Sequence, residues 1–147
     1  MPEAPSDLRE FAQTTDFYRL SLSAGGPACK AVGETREFRE YQQPPGDFSA
    51  DRDGARNLYK VLRTAFPDFH AEIHWQISDG DRVTTFKTYH GTHLGEFWGI
   101  APTGKKIQFE TVDVMRVVDG KISDHWGVAN LFSLAQQLGL IPAIKKI

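Results

Sequence analysis

Between Phe69 and Val128 the hydrophobic pattern repeats every second residue, and this limits what the chain can fold into. Phe69, Ala71, Ile73, Trp75 and Ile77 alternate with polar residues, as on a half-buried strand. Asp79-Gly80-Asp81 turns the chain, and Arg82 to His90 returns as the partner strand. Gly91 to Lys105, with four glycines and a proline, reads as a structured connection. Ile107 to Val118 is a long strand, Asp119-Gly120 a hairpin turn, and Ile122 to Val128 the last strand. Four strands in sequence with tight turns form an antiparallel meander.

Helical spacing lies on either side of this block. Leu8, Phe11, Thr15, Tyr18 and Leu22 predict a first helix over residues 7–22, ended by Ala24-Gly25-Gly26-Pro27. Ala55, Leu58, Tyr59, Leu62, Ala65 and Phe66 mark a second helix, opened by Asp51 or Asp53 and stopped by Pro67. Leu131, Leu134, Ala135 and Leu138 mark a third, closed by Gly139 and Pro142. Thr35 to Tyr41 predicts one short strand before the Pro44-Pro45-Gly46 break. Strands in meander with segregated helices make an α+β domain, expected as one unit over residues 1–147. A strongly curved sheet around a helix leaves a hollow, and the 12% aromatic content suits a lined cavity.

Charge and cysteine content exclude several classes of function. The net charge is −2 and no Lys/Arg cluster is dense enough to hold a phosphate backbone, so no nucleic-acid partner is expected. Cys29 is alone, which rules out an intrachain disulfide and fits a reducing compartment. No export leader and no apolar run of about 18 residues is visible, so a cytoplasmic chain off the membrane is expected. The histidines at 70, 74, 90, 93 and 125 raise a metal hypothesis, but the alternation points His70 and His74 outward. A zinc site needs three or four convergent ligands, and no metal is expected.

Several segments occur in an order that resembles a known family. They are Phe66-Pro67-Asp68, the run from Gly91-Thr92-His93-Leu94-Gly95-Glu96-Phe97-Trp98 to Thr103-Gly104, Asp119-Gly120-Lys121-Ile122 with Trp126, and Gln136-Gln137-Leu138-Gly139. Residues 55–142 are similar in this way to the SnoaL-like polyketide cyclases of the nuclear-transport-factor-2-like superfamily. The resemblance implies a cone-shaped, mainly antiparallel sheet wrapped around helices, with one deep apolar pocket. It also implies cyclisation of polyketide methyl esters by intramolecular aldol chemistry, without cofactor or metal. Relatives hydroxylate, isomerise or open epoxides in the same cone, so fold alone does not fix the reaction.

In that family the catalytic acid/base is an Asp four residues after the Trp of the last strand. The matching position here is Asn130, counted from Trp126. An amide cannot take up a proton as a carboxylate does, though it can hydrogen-bond an oxyanion. Period two puts Trp126, Val128 and Asn130 on one strand face; Asn130 either lines the pocket with Trp126 or caps the next helix. His93 is a candidate proton carrier or a tie within its glycine-rich turn. Tyr89 and Tyr41 are candidate acids at the pocket mouth. Asp113 and Arg116 lie three positions apart in an apolar strand and so face opposite sides of the sheet. One enters the cavity; for Arg116 the alternatives are a pocket cation or a surface pair with Glu110 or Asp124. Trp75, Phe86, Tyr89, Phe97, Trp98 and Trp126 are the expected stacking surface for a flat hydrophobic substrate.

Two function classes follow. One is a cofactor-independent cyclase or isomerase on a polyketide-like or aromatic molecule, with epoxide opening as a variant. The other is a non-catalytic small-molecule-binding domain that has lost its acid/base to Asn130. An ionisable group on the cavity floor discriminates in favour of the enzyme. A homodimer through the outer face of the sheet is expected.

Overall fold

The computed structural model describes residues 34–41, 49–119, 121–142 and 144. The predicted first helix, Cys29 and the Pro44-Pro45-Gly46 break lie outside the described residues. The elements are β1 (Glu34–Glu40), α1 (Arg52–Ala65), β2 (His70–Asp79), β3 (Arg82–Thr92), β4 (Lys106–Val118), β5 (Lys121–Ala129) and α2 (Leu131–Leu138). The strands form one sheet in the order β1-β5-β4-β3-β2. Strands β2 to β5 make the expected antiparallel meander, and β1 adds itself parallel to β5. The class is the α+β expected.

Helix α1 starts where Asp51 accepts the Gly54 N–H at 2.9 Å and is itself held by the Ser49 hydroxyl at 2.6 Å. It ends as the Phe66 N–H reaches Leu62 O at 2.7 Å, and Pro67 bars continuation. Phe66 then drops fully buried into the core, 5.1 Å from the Phe97 ring and 5.4 Å from the His93 ring. The face of the sheet that meets this core, called the inner face below, carries Tyr89, Ile107, Phe109, Met115 and Ile122 against Ala55, Ala65, Leu134 and Leu138 of the helices.

The connection between β3 and β4 is fixed at both ends. Asp68 accepts the Thr92 N–H and the Thr92 hydroxyl, each at 2.6 Å. The N–H groups of Leu94 and Gly95 both donate to Ala65 O, at 2.9 and 3.0 Å, which caps the end of α1. Gly95 is required there, because a Cβ would sit 2.3 Å from Thr64 O. Beside this connection α2 covers the part of β4 that β5 does not reach. The Gln137 amide accepts the Gln108 N–H at 3.0 Å and donates to Gln108 O at 2.7 Å, doing what a neighbouring strand would do.

One register shift corrects the sequence reading. Ile73 pairs with Lys87 but Trp75 pairs with Phe86, so His74 and Trp75 together oppose one residue, a β-bulge. The bulge exchanges the two faces of β2: Ala71 and Ile73 point inward before it, Gln76 and Ser78 after it. Trp75 and Ile77 therefore lie on the outer face, 46% and 61% exposed, and not in the core. Phe86 goes with them, its ring 5.7 Å from that of Trp75.

Candidate functional site

Alternation along β3 and β4 turns Val83, Thr85, Lys87 and Tyr89 inward beside Thr111, Asp113 and Met115. On β5, Ile122 and His125 are the buried residues. Most of this face is apolar, but at its centre five polar side chains are buried: Thr85, Lys87, Thr111, Asp113 and His125. Burying charge costs several kcal/mol per ion unless it is paired, so three ionisable groups together in a core need a reason.

The pairing is direct. Lys87 Nζ contacts Asp113 Oδ2, and His125 Nε2 lies 3.2 Å from Asp113 Oδ1, so one carboxylate bridges an amine and an imidazole. The Lys87 ammonium also sits 4.7 Å from the centre of the Tyr89 ring. Burial pushes the Lys87 amine down to about 8, with the charge of Asp113 opposing the shift. Burial alone would raise Asp113, but Lys87 and His125 outweigh it and hold the carboxyl well below the usual range. Asp113 is thus an anion at all ordinary pH. His125 presents Nε2 to it. Thr85 is occupied by the Gln76 amide at 2.8 Å. The Thr111 hydroxyl, in register with Lys87 across the strands, has no hydrogen-bond partner among the described residues.

Of the residues singled out in the sequence, the structure brings Asp113 and Tyr89 to this place. Tyr89 stacks at 4.7 Å on Phe69 and at 5.4 Å from Phe109, part of the packing behind the cluster. The others lie elsewhere. Asn130 and Trp126 do share a face, but it is the outer one, since Val114 pairs with Trp126 and Val112 with the 77% exposed Val128. Asn130 spends its side chain as the cap of α2, accepting the Ser133 N–H at 3.2 Å. Trp126 stacks on the exposed ring of Tyr41 at 5.1 Å, so neither is at a mouth of the inner face.

Arg116 points away from Asp113, as the three-residue spacing requires. Its Nε donates to Asp81 at 2.5 Å and its guanidinium lies 4.0 Å from Asp124, so it closes the surface at the β2–β3 turn. His93 is fully buried but serves the connection: Nδ1 accepts the Thr103 N–H at 3.3 Å, and its backbone pairs with Lys105 and Gly104. Trp98 holds a turn with a left-handed backbone (φ 52°) and stacks on Phe97 at 4.5 Å. His70, His74 and His90 are on the outer face, and among the described residues no three metal-binding side chains gather.

Sequence reasoning missed Lys87 and His125. The signal existed in part, because period two from Asp113 and from Tyr89 selects Thr111 and Lys87 on the same face. Three ionisable side chains are therefore buried together on this face.

Comparison with known proteins agrees in fold and family. Nogalonic acid methyl ester cyclase from Streptomyces nogalater is 37% identical over 60 residues, covering 41% of this chain and 45% of that protein. Aklanonic acid methyl ester cyclase AcmA from Streptomyces galilaeus is 29% identical over 117 residues, 74% of this chain and 81% of that one. The crystal structure of AclR, also from Streptomyces galilaeus, superposes with a TM-score of 0.85 at 27% identity, covering 96% of this chain and 87% of AclR. The chain spans about half the length of the first curated relatives it matches. Residues 30–138 match the sequence profile of the SnoaL-like polyketide cyclases, and the chain belongs to that family.

Proposed function

We propose that this chain is a cofactor-independent cyclase that closes a ring in a polyketide-like small molecule by an internal aldol step on the inner face of the sheet. The observation that carries the reading is the buried Lys87–Asp113–His125 cluster. A carbon flanked by two carbonyls is acidic enough for an imidazole to deprotonate, and His125 is the group to do it. Asp113 fixes the ring orientation and stabilises the imidazolium that forms. Lys87 keeps Asp113 ionised, and the Thr111 hydroxyl donates to the oxygen on which negative charge develops. The proton then returns from His125 to the alkoxide left by carbon–carbon bond formation, so no external reagent is consumed.

Asn130, at the position where the family resemblance implies an acid/base, caps a helix, and the proton moves through His125 instead. The outer face supports a homodimer: Trp75 and Ile77 on β2, Val112 on β4 and Val128 on β5 are each more than 40% exposed on one side of the sheet. No helix among the described residues is long and apolar enough to cross a membrane, in keeping with a cytoplasmic biosynthetic role.

The test is turnover of nogalonic and aklanonic acid methyl esters, the compounds named for the relatives, by the wild-type chain and by His125→Gln. A general acid/base contributes about 10²–10⁴-fold, so kcat should fall by that factor while the fold, read by circular dichroism, is kept. Full turnover by His125→Gln would refute the assignment of the base. Failure of the wild type on both esters would refute the substrate class.

A further inference from the structure

The reading above uses Lys87 only to hold a charge, yet its position allows more. Asp113 offers one oxygen to Lys87 and the other to His125, so either arm can supply the cation that the carboxylate needs. Moving one proton from the ammonium across to the imidazole leaves the charge of the cluster unchanged. The desolvation cost that makes most buried charge shifts prohibitive is therefore absent from this exchange. Its product is a neutral primary amine in a buried site, the state in which lysine is a nucleophile.

We infer that Lys87 captures a ketone of a 1,3-dicarbonyl substrate as a Schiff base, with Asp113 and His125 carrying the protons. This inference rests on the reading that polyketide carbonyls reach the inner face. The steps balance within the cluster. Lys87 loses a proton to His125 and its lone pair attacks the carbonyl carbon, while the π pair moves to the oxygen. That oxygen takes the proton from His125, and the Thr111 hydroxyl, opposite Lys87 in the ladder and without another partner among the described residues, hydrogen-bonds it. The nitrogen returns a proton to His125, which gives it to the departing hydroxyl, so water leaves and an iminium remains. The iminium bears the one positive charge that the ammonium bore, beside the same carboxylate.

From there His125 removes the proton on the adjacent carbon to give an enamine, whose carbon attacks a further carbonyl, remote along the same molecule and outside the 1,3-dicarbonyl unit. The resulting alkoxide takes that proton, and water hydrolyses the iminium and restores the amine. An enamine makes the aldol carbon nucleophilic without a free enolate in an apolar core, where an unpaired anion is costly. Burial also lowers the Lys87 amine to about 8, whereas an ordinary solvated lysine near 10.4 is almost wholly protonated at neutral pH. A purely structural ion pair would gain nothing from this site, since apolar residues of the same volume are commonly as stable or more so.

The experiment uses pentane-2,4-dione, a small 1,3-diketone that condenses with neutral primary amines to a stable conjugated enaminone. The folded wild-type protein is treated near pH 8, digested and mapped by mass spectrometry, beside a sample treated in urea. Lys87 should carry the adduct in the folded protein before the exposed Lys60, Lys105, Lys106 and Lys121 do. Adducts on those lysines with Lys87 untouched, or on Lys87 only after unfolding, would overturn the inference, as would no adduct at all. Because no ester is turned over here, the proton-transfer role of His125 and the substrate class stand or fall separately by their own assay.

Discussion

Replacing Lys87 by Met removes the ammonium while keeping an unbranched side chain of similar reach, and its cost is set by what stays behind. Asp113 is 2% exposed and would lose its ammonium partner while keeping His125 at 3.2 Å. Breaking a buried ion pair from one side costs about 3–5 kcal/mol, because the remaining charge stays desolvated after losing its ammonium. At about 2–4 °C per kcal/mol for a chain of this size, the midpoint of thermal unfolding should fall by roughly 6–20 °C at pH 7. The pH dependence gives a second reading. In the wild type Asp113 is held below its unfolded value, so its stabilisation is complete above about pH 4 and is lost as pH falls further. In Lys87→Met the ammonium no longer opposes burial, so Asp113 rises from its wild-type position and this pH-dependent stabilisation shrinks. The deficit of the variant against wild type therefore narrows as pH falls through the carboxylate range. Lys87→Met combined with Asp113→Asn removes both charges and should recover most of the loss. Thermal melts followed by circular dichroism test all three statements. A single variant within about 1 kcal/mol of wild type at pH 7, with no gain in the double, would refute the argument that the pair is desolvated.

Two further outcomes follow from positions away from the cluster. Asn130→Ala should cost about 1 kcal/mol through the lost cap on α2, and Asn130→Asp, which caps as well, should leave both stability and turnover unchanged; a large change in turnover would put Asn130 back in the site. Gly95→Ala should destabilise by about 1–3 kcal/mol in urea titrations, because its Cβ meets the backbone of Thr64 and Ala65 and not a side chain that could turn aside.

The fold was legible where one physical rule governed a whole element. Helix α1 has an acidic cap, a clean apolar stripe and a proline stop, and the chain obeys all three. The β4–β5 hairpin and the Gly139 terminus of α2, with its left-handed φ of 84°, were equally plain. Strand β1 was predicted as a short strand, but nothing local said that it would run parallel to β5, a pairing made across more than eighty residues of chain. The β2 bulge was invisible for a different reason. Phe69, Ala71, Ile73, Trp75 and Ile77 alternate without a break, and the alternation is what a bulge interrupts. Trp75 can face outward because it finds Phe86 on the neighbouring strand, and no composition rule assigns that pair to one face in advance.

That single extra residue explains why Trp75 is absent from the observed site; Phe86 is absent because its parity on β3 is opposite to that of Tyr89. With β2 read as regular, the aromatic rings line the hollow and lysines and histidines point to solvent, which is the ordinary meaning of those residue types. With the bulge in place, Trp75 leaves the inner face, while Ile73, ahead of the bulge, pairs with Lys87, which shares the inward parity of Tyr89. A lysine at such a position has two outcomes: it destabilises the core, or it meets an acid at the matching level of the next strand. Asp113, singled out because an aspartate between valines needs a partner, is that acid, and His125 approaches its other oxygen from β5. The inference available from sequence was therefore conditional. If Asp113 faces inward, its partner must be a cation at inward parity on β3 or β5, and parity with Tyr89 leaves Lys87 on β3, since Arg82 has the opposite parity. What the sequence lacked was the fact that decided the condition, the face of the sheet, which only packing against Phe66, Phe69 and the helices supplies.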